Sequence, residues 1–353
     1  MMEEEIVRRR RWMSREQFLD YLGIANLIPG PNSTELAMLV GLARHGRPGL
    51  VTAGCCFIAP AAAIVSVLAW AYVRYGNLPQ VAGILYGVTP VVLAIVVRAL
   101  WHLARAALTS ATLVVILLGA VLAVAGGVNE LIVLSLAAIA HALASRGIRR
   151  LSAGAAIAVA LDPARLAAWS AIAAHAAPFS LWTMFWVFAK IGAVLFGSGY
   201  VLLAFLRADL VDRLGWLTEQ QLLDAVAVGQ VTPGPLFTTA TFIGYVLGGP
   251  GGAAVATVAI FLPGFLLVAF SGPLVPRLRQ SRVAGAALDG VNAASLALMA
   301  VVTWQLGIAA LGAPLPIGIF VVSLALLRLP INTTWLVVGG AAAGWVSRIA
   351  DLR

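Results

Sequence analysis

The chain has 353 residues, of which 61% are hydrophobic and only 10% are charged, and its mean hydropathy is +0.98. Water-soluble globular proteins of this length do not contain so large an apolar fraction. The composition therefore predicts a polytopic protein embedded in the lipid bilayer. The 23 basic residues exceed the 14 acidic ones and give a net charge of +9. In a membrane protein such an excess of basic residues is typical of cytoplasmic loops. We therefore expect no nucleic-acid partner.

Apolar runs follow one another along the chain with few interruptions. Two of them, residues 17–42 and 222–247, are broken near their middles, and an Ala-rich stretch with scattered arginines separates two sets of runs. We therefore predict three parts: a first repeat at 1–150, a linker at 151–178 and a second repeat at 179–353. The uninterrupted runs that could span a bilayer lie near residues 49–73, 81–104, 107–125, 130–145, 179–206, 250–275, 283–303, 305–327 and 331–347.

One motif occurs twice in the same hydrophobic setting. A lead-in that begins with Trp and ends with Leu-Asp spans residues 12–20 and again 216–224, and each copy runs into a Pro-Gly-Pro element. A duplicated unit whose apolar segments break at matching Pro/Gly sites indicates a transporter that has its site at the breaks. The two elements are Pro29-Gly30-Pro31 and Pro233-Gly234-Pro235, and the register continues downstream through Pro60 with Pro263 and Gly87 with Gly290.

The placement of basic residues predicts the orientation of the two repeats. In the first half, arginine-rich loops alternate with loops that hold one basic residue or none. In the second half the order is reversed: loop 248–252 is uncharged and the next loop carries Arg277, Arg279 and Arg282. Because cytoplasmic loops collect Lys and Arg, we expect the halves to sit in opposite orientations. The predicted fold class is an all-α polytopic membrane protein of two homologous helical repeats in inverted orientation, with Pro/Gly-broken re-entrant half-helices.

The broken segments are candidates for an anion site. Pro31 and Pro235 are expected to begin new half-helices, because a proline at the first helical position loses no hydrogen bond. The amides that follow each proline then lack upstream carbonyls, and a helix N-terminus suits an anion. The alternative is that neighbouring side chains and water cap these amides and that the prolines are plain kinks. Side chains that add donors are Asn32, Ser33 and Thr34 in the first half and Thr238 and Thr239 in the second.

A second glycine-rich break, Gly197-Ser198-Gly199, interrupts the run that opens the second half, and Lys190 lies before it in the apolar stretch. A lysine there is costly unless it meets a negative partner or reaches an interface. We predict either a counter-charge near a transported anion or a lysine that snorkels to the lipid headgroups.

Two carboxylates within apolar segments are candidates for carrying protons. Glu35 lies one turn into the first half-helix, and Asp289 precedes Gly290. For Glu35, stabilisation by the helix dipole is an adequate structural alternative.

The sequence predicts no metal centre and no cofactor. Cys55 and Cys56 are adjacent within an apolar run, and the histidines show no metal-ligand spacing. Ser198 could suggest a nucleophile, but no histidine or carboxylate base is visibly placed beside it. We therefore predict no enzymatic activity, and a membrane-embedded enzyme acting on lipid phosphates is the remote alternative.

With its paired Pro-Gly-Pro elements, its Phe196-Gly197-Ser198-Gly199 stretch and its Trp lead-ins, the chain resembles the chromate ion transporter family in its long, two-domain form. The resemblance covers nearly the whole chain. It implies secondary-active export of chromate, a tetrahedral dianion, which confers chromate resistance in a prokaryotic inner (plasma) membrane. It also implies that the family's Pro-Gly-Pro element falls on Pro29 to Ser33 and on Pro233 to Pro235. Members usually carry an FGG-type apolar segment before the first lead-in, and the sequence departs from the family there.

The expected partners follow from this resemblance. They are chromate or sulfate, a coupling ion that we expect to be a proton, the lipid bilayer, and a second copy of the chain in a homodimer. A permease for sulfate or another oxyanion stays open as an alternative, because half-helix amides read charge and tetrahedral shape, which chromate and sulfate share.

Overall fold

The computed structural model describes residues 2–76, 78–145, 178–196, 199–329 and 332–351. These residues form helices joined by short loops, with no strand among them, which confirms the all-α prediction. Residues 151–177 of the predicted linker, and Gly197 and Ser198 of the glycine-rich break, lie outside the described residues.

The helices follow the predicted runs closely. The first half contains α1 (Arg15–Ala25), α2 (Asn32–Tyr75), α3 (Pro79–Ala107), α4 (Ala111–Ala125) and α5 (Glu130–Ser145). The second half contains α6 (Leu181–Val194), α7 (Leu202–Leu206), α8 (Glu219–Val231), α9 (Thr239–Gln280), α10 (Arg282–Ala310), α11 (Pro314–Leu326) and α12 (Thr333–Asp351). Short π-helical turns at Glu4–Arg9 and Arg207–Arg213 precede the two lead-ins, and 3-10 turns occupy Gly199–Val201 and Leu236–Thr238.

The helices are built for a bilayer. Within the described part of the chain, four helical stretches are long and apolar enough to cross a membrane, and α4, α5, α6 and α11 are shorter apolar helices. Such helices satisfy their backbone hydrogen bonds internally, as hydrocarbon demands. The chain is therefore a multi-pass membrane protein. The four long stretches are Asn32–Tyr75, Val81–Ala107, Leu236–Ser271 and Val283–Ala310.

The repeated lead-ins are helix starts. Ser14 accepts a hydrogen bond from the Gln17 amide at 3.2 Å, and the Gln17 side chain accepts one from the Ser14 amide at 3.1 Å. Thr218 and Gln221 form the same reciprocal pair at 3.2 and 2.9 Å. This capping box satisfies otherwise unpaired amides at the starts of α1 and α8, which explains why the motif recurs.

The long helices α2 and α9 each contain a sharp turn that makes them helical hairpins. The turn in α2 falls at His45 and Gly46, where Gly46 has φ +61°, and the turn in α9 falls at Gly248 and Gly249, where Gly249 has φ +62°. The arms touch backbone to backbone, since a Cβ on Gly41 or on Gly244 would overlap a carbonyl oxygen of the other arm. Both halves thus contain the same helical hairpin.

The two halves pack against each other through two equivalent pairs of helices. Gly87 of α3 lies against the backbone of Gly340 in α12, and its register partner Gly290 of α10 lies against the backbone of Ala137 in α5. Each half therefore packs its second long helix on the last described helix of the other half. Contacts of the form i with j′ and i′ with j are the signature of a two-fold relation.

A polar contact also joins the halves. Asp224 of α8 is 2% exposed and accepts hydrogen bonds from the Tyr72 hydroxyl of α2 at 2.8 Å and from Gln220 at 2.9 Å. Gln220 also donates to Thr89 of α3 at 3.3 Å. Because α8 leads directly into the second Pro-Gly-Pro loop, these bonds fix that loop relative to the first half.

Candidate functional site

The Pro-Gly-Pro elements are loops between helices, and their glycines adopt backbone angles that other residues avoid. α1 ends at Ala25 and α2 begins at Asn32, so the first break spans six residues. Gly30 has φ +136° and Gly234 has φ +144°. The prolines stand one residue before the helical turns, in extended conformation, rather than at the first helical position that the sequence predicts.

Both loops open onto one cavity of about 1350 Å³. Pro31, Asn32 and Ser33 line it from the first half, and Pro233, Gly234 and Pro235 line it from the second. Two segments that are about 200 residues apart in sequence therefore face the same space. The described lining also includes Gly199, Tyr200, Gln230, Asp289, Asn292 and Ser295.

The helix N-termini at the loops are partly capped by their own prolines. The Thr34 amide donates to the Pro31 carbonyl at 2.7 Å, and the Thr238 amide donates to the Pro235 carbonyl at 3.0 Å. One amide after the proline is thus paired in the first half, and two are paired in the second, because the Thr239 amide also donates to the carbonyls of Leu236 and Phe237. The amides of Asn32 and Ser33 precede the first complete turn, where an α-helix supplies no carbonyl to them. These amides remain the donors available to an anion.

The predicted side-chain donors divide into two groups. Asn32 and Ser33 line the cavity, and the Asn32 amide group also donates to the Asn26 side chain at 2.7 Å. Thr34, Thr238 and Thr239 are at most 1% exposed. The Thr238 hydroxyl donates back to the Pro235 carbonyl at 2.9 Å. The hydroxyls of Thr34 and Thr239 have no hydrogen-bond partner within the described part.

Pro29 and Gly30 are buried, and Gly30 connects the first loop to the second half. Its amide donates to the carbonyl of Leu195, just before the glycine-rich break, at 2.8 Å. Of that break, Gly199 lines the cavity. The backbone therefore ties the start of the second half to the first loop.

Glu35 lies directly behind the first loop. Its side chain is 1% exposed, and its Oε2 has no hydrogen-bond partner among the described residues. A Cβ on Gly30 would overlap Oε1, and one on Gly264 of α9 would lie 3.0 Å from it. A buried carboxyl with one unpaired oxygen is costly when ionised. Its register partner is Thr239, which likewise carries a buried, unpaired hydroxyl.

Lys190 lies in a cluster of charged side chains rather than at the Pro-Gly-Pro loops. Its ammonium donates to Asp209 at 2.6 Å and is 3.9 Å from Glu130. Arg213 reaches the same Asp209 at 2.7 Å. Asp209 is 1% exposed, so the two cations neutralise a buried carboxylate. Lys190 thus has a negative protein partner, which the sequence did not identify.

Sequence reasoning found Asp289 but missed its neighbours on α10. Asp289, Asn292 and Ser295 recur every three residues and line the same cavity. The sequence does not show which space a polar residue of an apolar helix faces. The i, i+3 spacing could, however, have indicated that these three residues share one face of α10.

The arrangement can hold an oxyanion through neutral donors. Among the described residues that line the cavity, none is Lys or Arg, and Asp289 is the charged one. Amides and hydroxyls would replace the hydration of a bound anion. No group of three His, Cys, Asp or Glu that could hold a metal ion occurs among the described residues.

Comparison with known proteins agrees with the motifs. A family model described as "Chromate transporter" matches residues 1–143 and 182–345. The chromate transport protein of Pseudomonas aeruginosa is 34% identical over 363 residues, covering 98% of this chain and 86% of that protein. The chromate transport protein of Cupriavidus metallidurans is 31% identical over 306 residues, covering 84% and 74%.

A probable chromate transport protein of Synechococcus elongatus is 30% identical over 85% of this chain and 76% of its own length. No solved structure matches the chain. The resemblance inferred from the paired motifs is confirmed, and the chain belongs to the chromate transporter family.

Proposed function

We propose that the protein is a secondary-active transporter that exports chromate and thereby confers chromate resistance. The observation that carries the proposal is the cavity onto which both Pro-Gly-Pro loops open. Broken helices that present their N-termini to one cavity between repeats are the usual construction of an anion site in secondary transporters. The related proteins named for chromate transport support chromate as the substrate.

We assign substrate binding to the loops and to their flanking donors. The amides after Pro31 and Pro235, with Asn32 and Ser33, would replace the water around the anion. The buried Pro29, Gly30, Thr34, Thr238 and Thr239 would hold the loops in shape. Gly199, which lines the cavity, and the preceding Gly197 and Ser198 complete the proposed site. The counter-charge role of Lys190 stays a prediction, and its ion pair with the buried Asp209 favours a structural role instead.

We further propose that the two repeats are inverted. The exchanged contacts of Gly87 and Gly290 support a two-fold relation. The reversal of basic loop charge between the halves supports an axis in the membrane plane. An inner (plasma) membrane location accords with this charge pattern, and assembly as a homodimer stays an expectation.

Glu35 is the stronger of the two candidates for carrying a coupling proton. It is buried against Gly30, so the charge on its carboxyl acts on the loop that would hold the anion. A protonated Glu35 fits its present surroundings, whereas an ionised one would require the loop to open to water. Asp289, in the cavity itself, is the second candidate.

The decisive experiment replaces the loop prolines. Pro31→Ala and Pro235→Ala each free the φ angle that the proline ring fixes, so the amides after it lose their fixed direction toward the anion. We expect chromate binding by the purified protein to weaken by at least about tenfold, the equivalent of one hydrogen bond to a charged group. The matched control is Pro314→Ala, at the exposed start of α11, which should bind chromate as the wild type does.

Wild-type chromate binding in both loop variants, at equal expression, would place the site elsewhere. Flux into vesicles separates the transporter from a membrane enzyme or a sulfate permease. Chromate uptake into inverted vesicles, with no chemical product, is the expected outcome. Formation of a product, or uptake of sulfate alone, would contradict the proposal.

A further inference from the structure

One end of the cavity lies at a loop that the charge pattern assigns to the cytoplasm. From the Pro-Gly-Pro loops the cavity extends to Leu103, Ala107 and Thr109, where α3 ends and the connection to α4 begins. Arg105 is in this last turn of α3, and basic residues of this kind collect on the cytoplasmic side. The described lining includes no residue of loop 126–129 or loop 248–252, which lack basic residues. The open end of the cavity therefore faces the cytoplasm.

The two lead-in helices lie beside turns of different charge. Trp12, just before α1, has the Arg44 guanidinium 5.1 Å from its ring, next to the arginine-rich turn of the first hairpin. Its counterpart Trp216, just before α8, packs on Phe179 at 5.2 Å between ring centroids. A Cβ on Gly248, in the uncharged turn of the second hairpin, would lie 3.2 Å from the same Phe179. The start of α1 is thus on the cytoplasmic side, and the start of α8 is on the outer side.

On the outer side, α8 is closed against the first half of the chain. It packs on α2, α3, α9 and α12. Gln220 of α8 donates to the Thr89 hydroxyl of α3 at 3.3 Å, and Leu223 is only 3% exposed. The contact between α8 and α3 therefore covers the outer end of the cavity, and we call this contact the outer gate.

The counterpart helix α1 does not make the equivalent contact. Leu19, the counterpart of Leu223, is 48% exposed, and α1 packs chiefly on α2. Glu16 and Asn292 of α10 are the register counterparts of Gln220 and Thr89, and no hydrogen bond joins these two side chains within the described part of the chain. The buried residues of α1 belong to a small hydrophobic cluster with the first arm of α2, whereas those of α8 belong to the main core. α1 can therefore move without disrupting that core.

We propose that the structure is the inward-open state of the transporter, and that α1 and α10 form a cytoplasmic gate that closes through Glu16 and Asn292. This inference rests on the proposed function and on the proposed inverted repeats. Inverted repeats alternate by rocking about a fixed site, so each half adopts in turn the packing that the other half has now. In the second state α1 packs on α10, and α8 leaves α3.

The side chains at the cytoplasmic gate suit this closure. The Asn292 amide can donate to the Glu16 carboxylate, as Gln220 now donates to Thr89, and a hydrogen bond to a charged acceptor is the stronger of the two. Asn292 already lines the cavity, so a helix that reaches it covers the cytoplasmic end. An exporter with this gate open loads its anion from the cytoplasm, and it releases the anion after the outer gate has opened.

Cross-linking of cysteine pairs in membrane vesicles tests the two gates. The pairs are Gln220→Cys with Thr89→Cys and Glu16→Cys with Asn292→Cys, each combined with Cys55→Ala and Cys56→Ala and joined by a short, cleavable bifunctional thiol reagent. Linking the outer pair should keep the cytoplasmic side open, so chromate binding at that face should persist while chromate transport is lost. The cytoplasmic pair should link during transport, and chromate binding at the cytoplasmic face should then be lost until the link is cleaved.

The matched control is Glu16→Cys with Trp304→Cys, which should not link. Trp304 is 72% exposed and lies twelve residues beyond Asn292 on α10, about 18 Å along the helix. Linking of this control as readily as the Glu16 and Asn292 pair overturns the inference. So does a Glu16 and Asn292 pair that never links during transport.

The wild type provides a measurement that needs no substitution. Cys56 lines the cavity, whereas Cys55 lies in an apolar groove between α2 and α9. A membrane-impermeant thiol reagent should modify Cys56 from the cytoplasmic face and should leave Cys55 unmodified. Absence of Cys56 modification from that face overturns the inference, even if the cysteine variants do not fold. Modification from that face in a wild type that moves no chromate overturns the proposed function but leaves the open side of the cavity as inferred.

Discussion

The contact between Gly30 and Glu35 predicts how much a side chain at position 30 would destabilise the first loop. In Gly30→Ala, a Cβ is added at φ +136°, and it would overlap Oε1 of Glu35 and lie 2.8 Å from its Cδ. The unfavourable backbone region costs about 1–3 kcal/mol. Forcing a methyl group against a buried side chain costs about 1–3 kcal/mol more. We therefore expect Gly30→Ala to lower the free energy of unfolding by about 2–6 kcal/mol in total, a large part of the about 5–15 kcal/mol typical of a protein.

The assay is unfolding of the purified protein in detergent, with Gly46→Ala as the matched control. Gly46 also has positive φ, at +61°, but a Cβ there meets no atom within 4 Å. It should therefore show the backbone cost alone, about 1–3 kcal/mol. In the double variant Gly30→Ala with Glu35→Ala the overlap is gone, so the two effects should fall short of their sum by about 1–3 kcal/mol. A Gly30→Ala no worse than Gly46→Ala, or strictly additive effects, would refute the reasoning.

Two further variants probe the polar contacts that support the site. Tyr72→Phe removes the hydrogen bond to the buried Asp224, so the free energy of unfolding should fall by about 1.5–3 kcal/mol. Tyr75→Phe, at an exposed tyrosine, is its control, and equal stability of the two would contradict the assigned bond. Lys190→Met leaves Asp209 with Arg213 alone, so we expect lower thermal stability with wild-type chromate affinity in the folded fraction. Loss of affinity at wild-type stability would instead place Lys190 in the anion site.

Much of the fold is predictable because hydrophobic length and Pro/Gly breaks are local signals. The run predicted near 130–145 is α5, and the run near 81–104 is α3 with a few residues added at each end. The run near 179–206 differs, because its helix ends at Val194 before the glycine-rich break, and the run near 305–327 is also wrong at its start, because α10 continues to Ala310 and α11 begins at Pro314. An apolar run does not reveal where a helix stops inside it, since both sides of the break are equally hydrophobic.

The site is predictable mainly where it is repeated. Duplication identified the two Pro-Gly-Pro loops without any knowledge of their contacts. Ser295 and Gln230 have no repeated motif, so only the fold could bring them to the cavity. The same is true of the Lys190 and Asp209 pair, whose spacing of 19 residues matches no helical period within a single helix.

The glycine contacts inside the two hairpins decide where the molecule can bend. Arms that touch backbone to backbone at Gly41 and Gly244 cannot slide past each other by even one residue, about 1.5 Å, without steric overlap. Each hairpin would then move as a rigid body. Any bending would occur in the segments at its base, residues 26–31 and 232–235. These pivots are also the places where the amides would grip the anion. Binding of the anion and movement of the hairpin would therefore involve the same few peptide units. A bound anion would then change how easily these loop segments bend.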